Sequence, residues 1–137
     1  MQQTTILYPA ILMMVLTLLL YVKSYLDNTK ALKNKFIKGK YFKAYKGEVP
    51  EHIEVSRQTL KNQFELPILF YFLISLVLIF DNVTIIDLIL AWIFVVSRYI
   101  HCYIRLTSNY IPYRAKVFLL GLCILIVWWI NFLSNIL

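Results

Sequence analysis

Apolar residues along the chain gather into four long runs separated by three polar connections. The runs cover residues 6–22, 66–80, 85–96 and 117–137. The first is closed by Lys23. The third is interrupted only by Asp87, near its start, and keeps helical register through Ser97, Arg98, His101 and Arg105. The fourth carries Trp128 and Trp129 towards its far end. A helix needs about 20 residues to cross a bilayer, so the second and third runs are long enough only if their charged ends count as membrane helix. The pattern predicts an all-α membrane protein: one domain over residues 1–137, built as a four-transmembrane-helix bundle. The predicted spans are about 5–26, 58–81, 84–105 and 112–136, with a basic loop over about 27–57. A cleavable leader would begin with basic residues, carry a shorter apolar core and end in a small-residue cleavage site. The first ten residues hold no Lys or Arg and no such site follows Tyr21, so the first run reads as a retained span.

The connections differ in kind. Residues 23–61 hold ten of the 14 basic residues. The first part continues the preceding helix, Gly39, Gly47 and Pro50 break the pattern, and a new helix starts at Glu51 and runs into the bilayer. The lysines from Lys30 to Lys46 read as a solvated, lipid-facing segment with weak affinity for anionic lipid. The second connection opens on the turn signal Asp81-Asn82 and has no Lys or Arg. Asn82-Val83-Thr84 matches a glycosylation sequon, a weak reading in so short a loop. Residues 107–112 form a short third loop, flanked by Arg105, Arg114 and Lys116. The excess of Lys and Arg in connections one and three puts them in the cytoplasm and both termini in the periplasm or an equivalent lumen.

Composition sharpens this picture. Of 137 residues, 61% are hydrophobic and 15% charged, against about 45–50% apolar in soluble domains. The net charge of +7 follows from membrane orientation and needs no nucleic-acid partner. Cys102 and Cys123 lie in apolar or helical context and make no disulfide framework. There is no zinc-ligand spacing, phosphate loop, hydrolase triad or nucleic-acid module.

The topology collects the intramembrane charges at one end. Arg57, Lys61, Asn62 and Glu65 enter with the second span, Arg98, His101 and Arg105 leave with the third, and Arg114 opens the fourth. In an unbroken helix Arg57, Lys61 and Glu65, spaced by four, share a stripe. Arg98, His101 and Arg105 share another. Arg98 lies about 10 Å along the axis from Arg105 at 1.5 Å per residue, well below the interface. A charge at that depth costs at least about 2.5 kcal/mol and faces a partner or a cavity. Glu65 is the one acid at comparable depth and is expected to pair with Arg98. Lys61, Arg105 and Arg114 then lack a protein anion, and the pocket should attract an anionic ligand. The plainer readings are a structural ion pair for Arg98, a hydrogen-bonded core residue for His101, and interface snorkelling for Arg105, Arg114 and Lys116.

These residues also resemble a known family. Arg57-x3-Lys61-Asn62-x2-Glu65-x-Pro67, together with Arg98-x2-His101 and Pro112-x-Arg114, is similar to the signature of the MAPEG family, the membrane-associated proteins in eicosanoid and glutathione metabolism. Order and spacing agree over residues 57–118, and the short length and drawn-out lysine loop look most like its bacterial branch, hence a bacterial inner membrane. The resemblance implies a left-handed bundle assembled as a homotrimer, with glutathione bound between subunits near the cytoplasmic face. It implies Arg57, Lys61, Asn62, Glu65, Arg98, His101 and Arg105 as the binding shell. It also implies Arg114 as the catalytic arginine beside the sulfur, where a cation favours the thiolate. The co-substrate would be a lipophilic electrophile. Four positions depart from the family pattern: Gln58 stands for an arginine, Arg105 for a tyrosine, Ala115 for the serine of the prostaglandin-making branch, and Phe118 for a later tyrosine. They argue against eicosanoid synthesis, while Arg105 is able to replace part of the lost positive charge. Two readings follow: a membrane glutathione transferase or peroxidase, and a non-catalytic protein whose basic pocket holds an anionic lipid headgroup or acidic metabolite. A transporter is a distant third, since one subunit is too small to enclose a pathway.

Overall fold

A computed structural model describes residues 3–136. Five α-helices carry the fold: α1 (Leu7–Lys33), α2 (Glu51–Lys61), α3 (Leu66–Ile79), α4 (Ile85–Leu106) and α5 (Ile111–Ile136). Helices α2 and α3 follow one another as a single broken passage over Glu51–Ile79. With it, Gln3–Lys33, Ile85–Leu106 and Ile111–Ile136 make four helical stretches long and apolar enough to cross a membrane. No strand occurs among the described residues. The chain is therefore an all-helical integral membrane protein.

The break between α2 and α3 has a local cause. Pro67 has no N–H to donate, and its ring collides with the carbonyl four residues earlier, which belongs to Gln63. The chain answers with a 3-10 turn over Asn62–Phe64. Glu65 then leaves helical geometry altogether (φ −106°, ψ −103°), before α3 restarts with Pro67 in its first turn. This corrects the expected stripe: Arg57, Lys61 and Glu65 do not lie on one continuous α-helical face.

The ends of the helices are specified by their sequence. Helix α1 stops in a Schellman arrangement: Lys35 is left-handed (φ 58°), its N–H reaches the Leu32 carbonyl (3.1 Å) and that of Phe36 reaches Ala31 (2.9 Å). Helix α3 stops the same way, with Asp81 at φ 56° and the N–H of Asn82 on the Val77 carbonyl (3.2 Å). Helix α4 begins with a capping box. Thr84 Oγ1 accepts from the Asp87 N–H (3.2 Å), and Asp87 Oδ2 accepts from the Thr84 N–H (2.8 Å). Asp87 is only 2% exposed, and its other oxygen accepts from Trp128 Nε1 at 2.7 Å. The acid that interrupts the third apolar run is thus a fully bonded cap that ties α4 to α5.

Helix α4 is central. It packs most extensively on α5 and also meets α1 and α2. Phe70 of α3 stacks on Phe94 of α4 at 4.8 Å, and Trp128 of α5 meets Phe70 edge-on at 5.9 Å. A buried polar contact crosses this core: Gln63 donates to Cys102 Sγ (3.4 Å) and accepts from Thr17 (3.5 Å). A second, smaller core of Ala31, Ile37, Tyr41 and Ile53 lies outside the bundle proper.

Candidate functional site

The connection from α4 to α5 is short, so the last turn of α4 and the first turns of α5 stand side by side, with the end of α2 against α4. A cavity of about 420 Å³ opens there, lined by Asn62, His101, Arg105, Arg114, Ala115, Phe118 and Leu119. Four of the residues singled out in the sequence, Asn62, His101, Arg105 and Arg114, therefore share one hollow. Among the described residues no carboxylate lines it.

Three of the four polar side chains there, Asn62, Arg105 and Arg114, are held by hydrogen bonds to neighbours. Arg105 is buried and donates through Nη2 to Gln58 Oε1 at 2.6 Å. The amide orientation of Asn62 that satisfies both its neighbours puts its oxygen 3.2 Å from Arg105 Nη1 and its nitrogen 3.1 Å from the Gln58 carbonyl. Gln58 is itself oriented, because its Nε2 donates to Glu54 Oε1 at 2.7 Å. Glu54 also takes the Arg57 guanidinium, at 2.5 and 3.1 Å. The Nε of Arg105 is buried with no hydrogen-bond partner among the described residues. Arg114 is half-buried and donates to Asn109 Oδ1 at 2.6 Å.

Arg98 behaves differently from expectation. It is 3% exposed and does not pair with Glu65. Its Nη2 donates to the carbonyls of Val117 and Phe118, both at 3.3 Å, and its Cζ sits 5.4 Å from the Phe94 ring and 5.3 Å from the Phe118 ring. The opening that lets it reach α5 is Gly121. A Cβ there would fall on the Arg98 guanidinium and lie 2.9 Å from Ser97 Oγ. Helix carbonyls and two aromatic faces solvate the charge in place of a carboxylate. Phe118 forms the partition: one contact is to Arg98, and the other is to the His101 ring at 5.8 Å.

The other expected residues lie outside the cavity lining. Arg57 is engaged with Glu54 and lies 5.1 Å from the Tyr45 ring. Lys61 and Glu65 are exposed, and neither belongs to the two ion pairs found among the described residues, Lys23–Asp27 and Arg57–Glu54. A second hollow of about 390 Å³, lined by Glu51, His52, Val55, Arg105, Leu106, Thr107, Ser108 and Asn109, shares Arg105 with the first. Two supporting residues carry little signal in the sequence. Gln58 stands four residues before Asn62 and at a departure from the family pattern, and these two signs point to its position but not to its bond with Arg105. Asn109 sits in a loop and offers none.

The arrangement can bind an anion. Two guanidiniums converge on a hollow whose described lining holds no counter-charge, and a neutral amide is aligned beside them. In so apolar a setting an acidic ligand is attracted more strongly than in water. A family model, that of the MAPEG family, matches residues 6–134 of the chain. No curated protein and no solved structure matches it.

Proposed function

The chain belongs to the MAPEG family, and from that membership and the site geometry we propose that it is a membrane-embedded, glutathione-dependent transferase or peroxidase acting on lipophilic electrophiles. The observation that carries this reading is the cavity lined by Arg105, Arg114, His101 and Asn62 with no acid in its wall. Glutathione fits that donor set, since it brings two carboxylates and a thiol. The guanidinium of Arg105 in the cavity wall supplies positive charge for one carboxylate. Asn62 is placed to meet an amide. Glutathione, when bound, supplies the nucleophilic sulfur. Arg114, in the cavity wall, would set positive charge near it and so favour its thiolate. Asn109 fixes the direction of Arg114, and the Glu54–Gln58 pair fixes that of Arg105. Phe118 and Leu119 keep the far wall apolar, the side from which a lipid-dissolved electrophile approaches.

Lys61 and Glu65 are exposed at the rim of one subunit. In a homotrimer of the kind the family resemblance implies, they and Arg57 complete the binding shell across a subunit boundary. Arg98 then acts as a structural cation that holds α4 to α5. The lysine-rich connection and the α4–α5 loop face the cytoplasm of a bacterial inner membrane, with both termini periplasmic, because that orientation keeps the basic loops inside. Ala115 and Phe118 replace hydroxyl-bearing residues and speak against eicosanoid synthesis.

The same hollow also supports a second reading, a non-catalytic pocket for an acidic metabolite or lipid headgroup, favoured by Arg105 standing where a tyrosine is usual. Thermal stability in detergent separates the two. Millimolar glutathione raises the melting temperature if the first reading is right. No change with glutathione, together with a rise on adding anionic lipid that survives neutralisation of the Lys30–Lys46 segment, overturns it in favour of the second.

A further inference from the structure

The lysine-rich segment between α1 and α2 folds into a closed lobe with a hollow of its own. As a sequence it reads as a solvated, lipid-facing run with weak affinity for anionic lipid, but its chain is closed on itself into one concave wall. The left-handed residues Lys35 (φ 58°), Tyr45 (φ 51°) and Gly47 (φ 122°) turn it three times, and a short 3-10 helix, Gly39–Lys43, lies between the turns. Ile37 and Tyr41 are buried against Ala31 of α1 and Ile53 of α2, which fixes the lobe to the bundle. The result is a hollow of about 520 Å³ whose wall carries Lys35, Lys38, Lys40, Lys43 and Lys46, with Glu48 as its one acid. All five lysines are exposed, and none belongs to either ion pair found among the described residues.

Five ammonium groups around one concavity repel one another, and a concave wall of one sign focuses its field on whatever anion enters. Lysines, unlike arginines, act as compact point charges without a bidentate fork. That suits the rounded charge of a phosphate group, which such charges bind without fixed geometry. The position selects the source. The lobe follows the charged end of α1, whose apolar part is closed by Lys23 and which ends at Lys33, so it lies on the side of the bilayer to which that span leads, and Phe36 beside the hollow is 58% exposed, an apolar side chain for a lipid surface. The geometry points to a binding site for the phosphate of an anionic phospholipid headgroup, separate from the Arg105–Arg114 cavity and independent of its assignment to glutathione.

The test uses the full chain purified in neutral detergent. Its melting temperature is followed against added short-chain phosphatidylglycerol, phosphatidylcholine of the same chain length, and inorganic phosphate. The variant K38Q/K40Q/K43Q is measured beside it. Phosphatidylglycerol should stabilise the wild-type protein, phosphatidylcholine should not, and inorganic phosphate should act more weakly than the lipid. The triple variant should keep its unliganded melting temperature and lose at least about tenfold in apparent lipid affinity, since each surface lysine contributes separately. The wild-type response should also collapse at about 0.5 M salt, where charges are screened within a few ångströms. Equal stabilisation by the two lipids overturns the proposal. So does an undiminished lipid response in the triple variant. A response to inorganic phosphate as large as that to lipid overturns the headgroup assignment. If the triple variant does not fold, the lipid preference and salt response of the wild-type protein decide the matter alone.

Discussion

Arg105 of α4 donates to Gln58 of α2 at 2.6 Å, so two of the four positions that depart from the pattern of the resemblance touch each other. Together they look like one exchange: the cation sits on α4 and the neutral acceptor on α2. A hydrogen bond to a charged group contributes about 1.5–3 kcal/mol. A double-mutant cycle on Gln58→Ala and Arg105→Ala should therefore show a coupling of about 1–2 kcal/mol in unfolding free energy, given the remaining contact to Asn62. Additive effects would mean that the pair is not formed in the membrane.

Gly121 leaves room for the Arg98 guanidinium. Gly121→Ala should destabilise the protein by about 1–3 kcal/mol, as overpacking does, because Phe94 and Phe118 flank the arginine and limit its retreat. Combining it with Arg98→Met should recover part of the loss. Both can be read from detergent melting curves. An unaltered Gly121→Ala protein would remove Arg98 from the α4–α5 interface.

Glu65 is exposed and belongs to neither ion pair found among the described residues. Glu65→Gln should shift unfolding free energy by no more than about 0.5 kcal/mol, the range of ordinary surface changes. If Glu65 held Arg98, the loss would be about 3–5 kcal/mol, the cost of breaking a buried pair. The same melting curves distinguish these outcomes.

Trp128 donates to the buried carboxylate of Asp87 at 2.7 Å. Trp128→Phe should cost about 1–3 kcal/mol, with Asp87→Ala costing more because the α4 cap is lost as well. Equal stabilities for Trp128→Phe and wild type would show that the indole N–H contributes nothing.

Much of this was legible beforehand. Four apolar runs are enough to read four membrane-crossing helices, because the bilayer penalises every other backbone arrangement. Asn62, His101, Arg105 and Arg114 could be grouped because topology places their helix ends together. The Arg98–Glu65 pairing failed for a physical reason. Counting charges treats a carboxylate as the only solvent for a buried guanidinium, whereas Gly121 bares the carbonyls of Val117 and Phe118 to it. Pro67 did signal a break, but the stripe of Arg57, Lys61 and Glu65 was drawn through it. Asp87 is a lone polar residue in an apolar run and Gln63 one of several polar residues ahead of another, and nothing in a linear pattern says that they bond across helices. The closure of the lysine lobe depends on left-handed turns at Lys35 and Tyr45, residue types that do not advertise them.

The central claim is that Arg114 stabilises a thiolate in the anion cavity. Its most direct test is the ultraviolet thiolate absorbance of glutathione titrated with pH in the presence of the purified protein. The account predicts a bound-thiol pKa at least about one unit below the free value near 8.5, restored towards that value in an Arg114→Ala protein that still binds glutathione. A bound thiol that titrates identically in both proteins would contradict it.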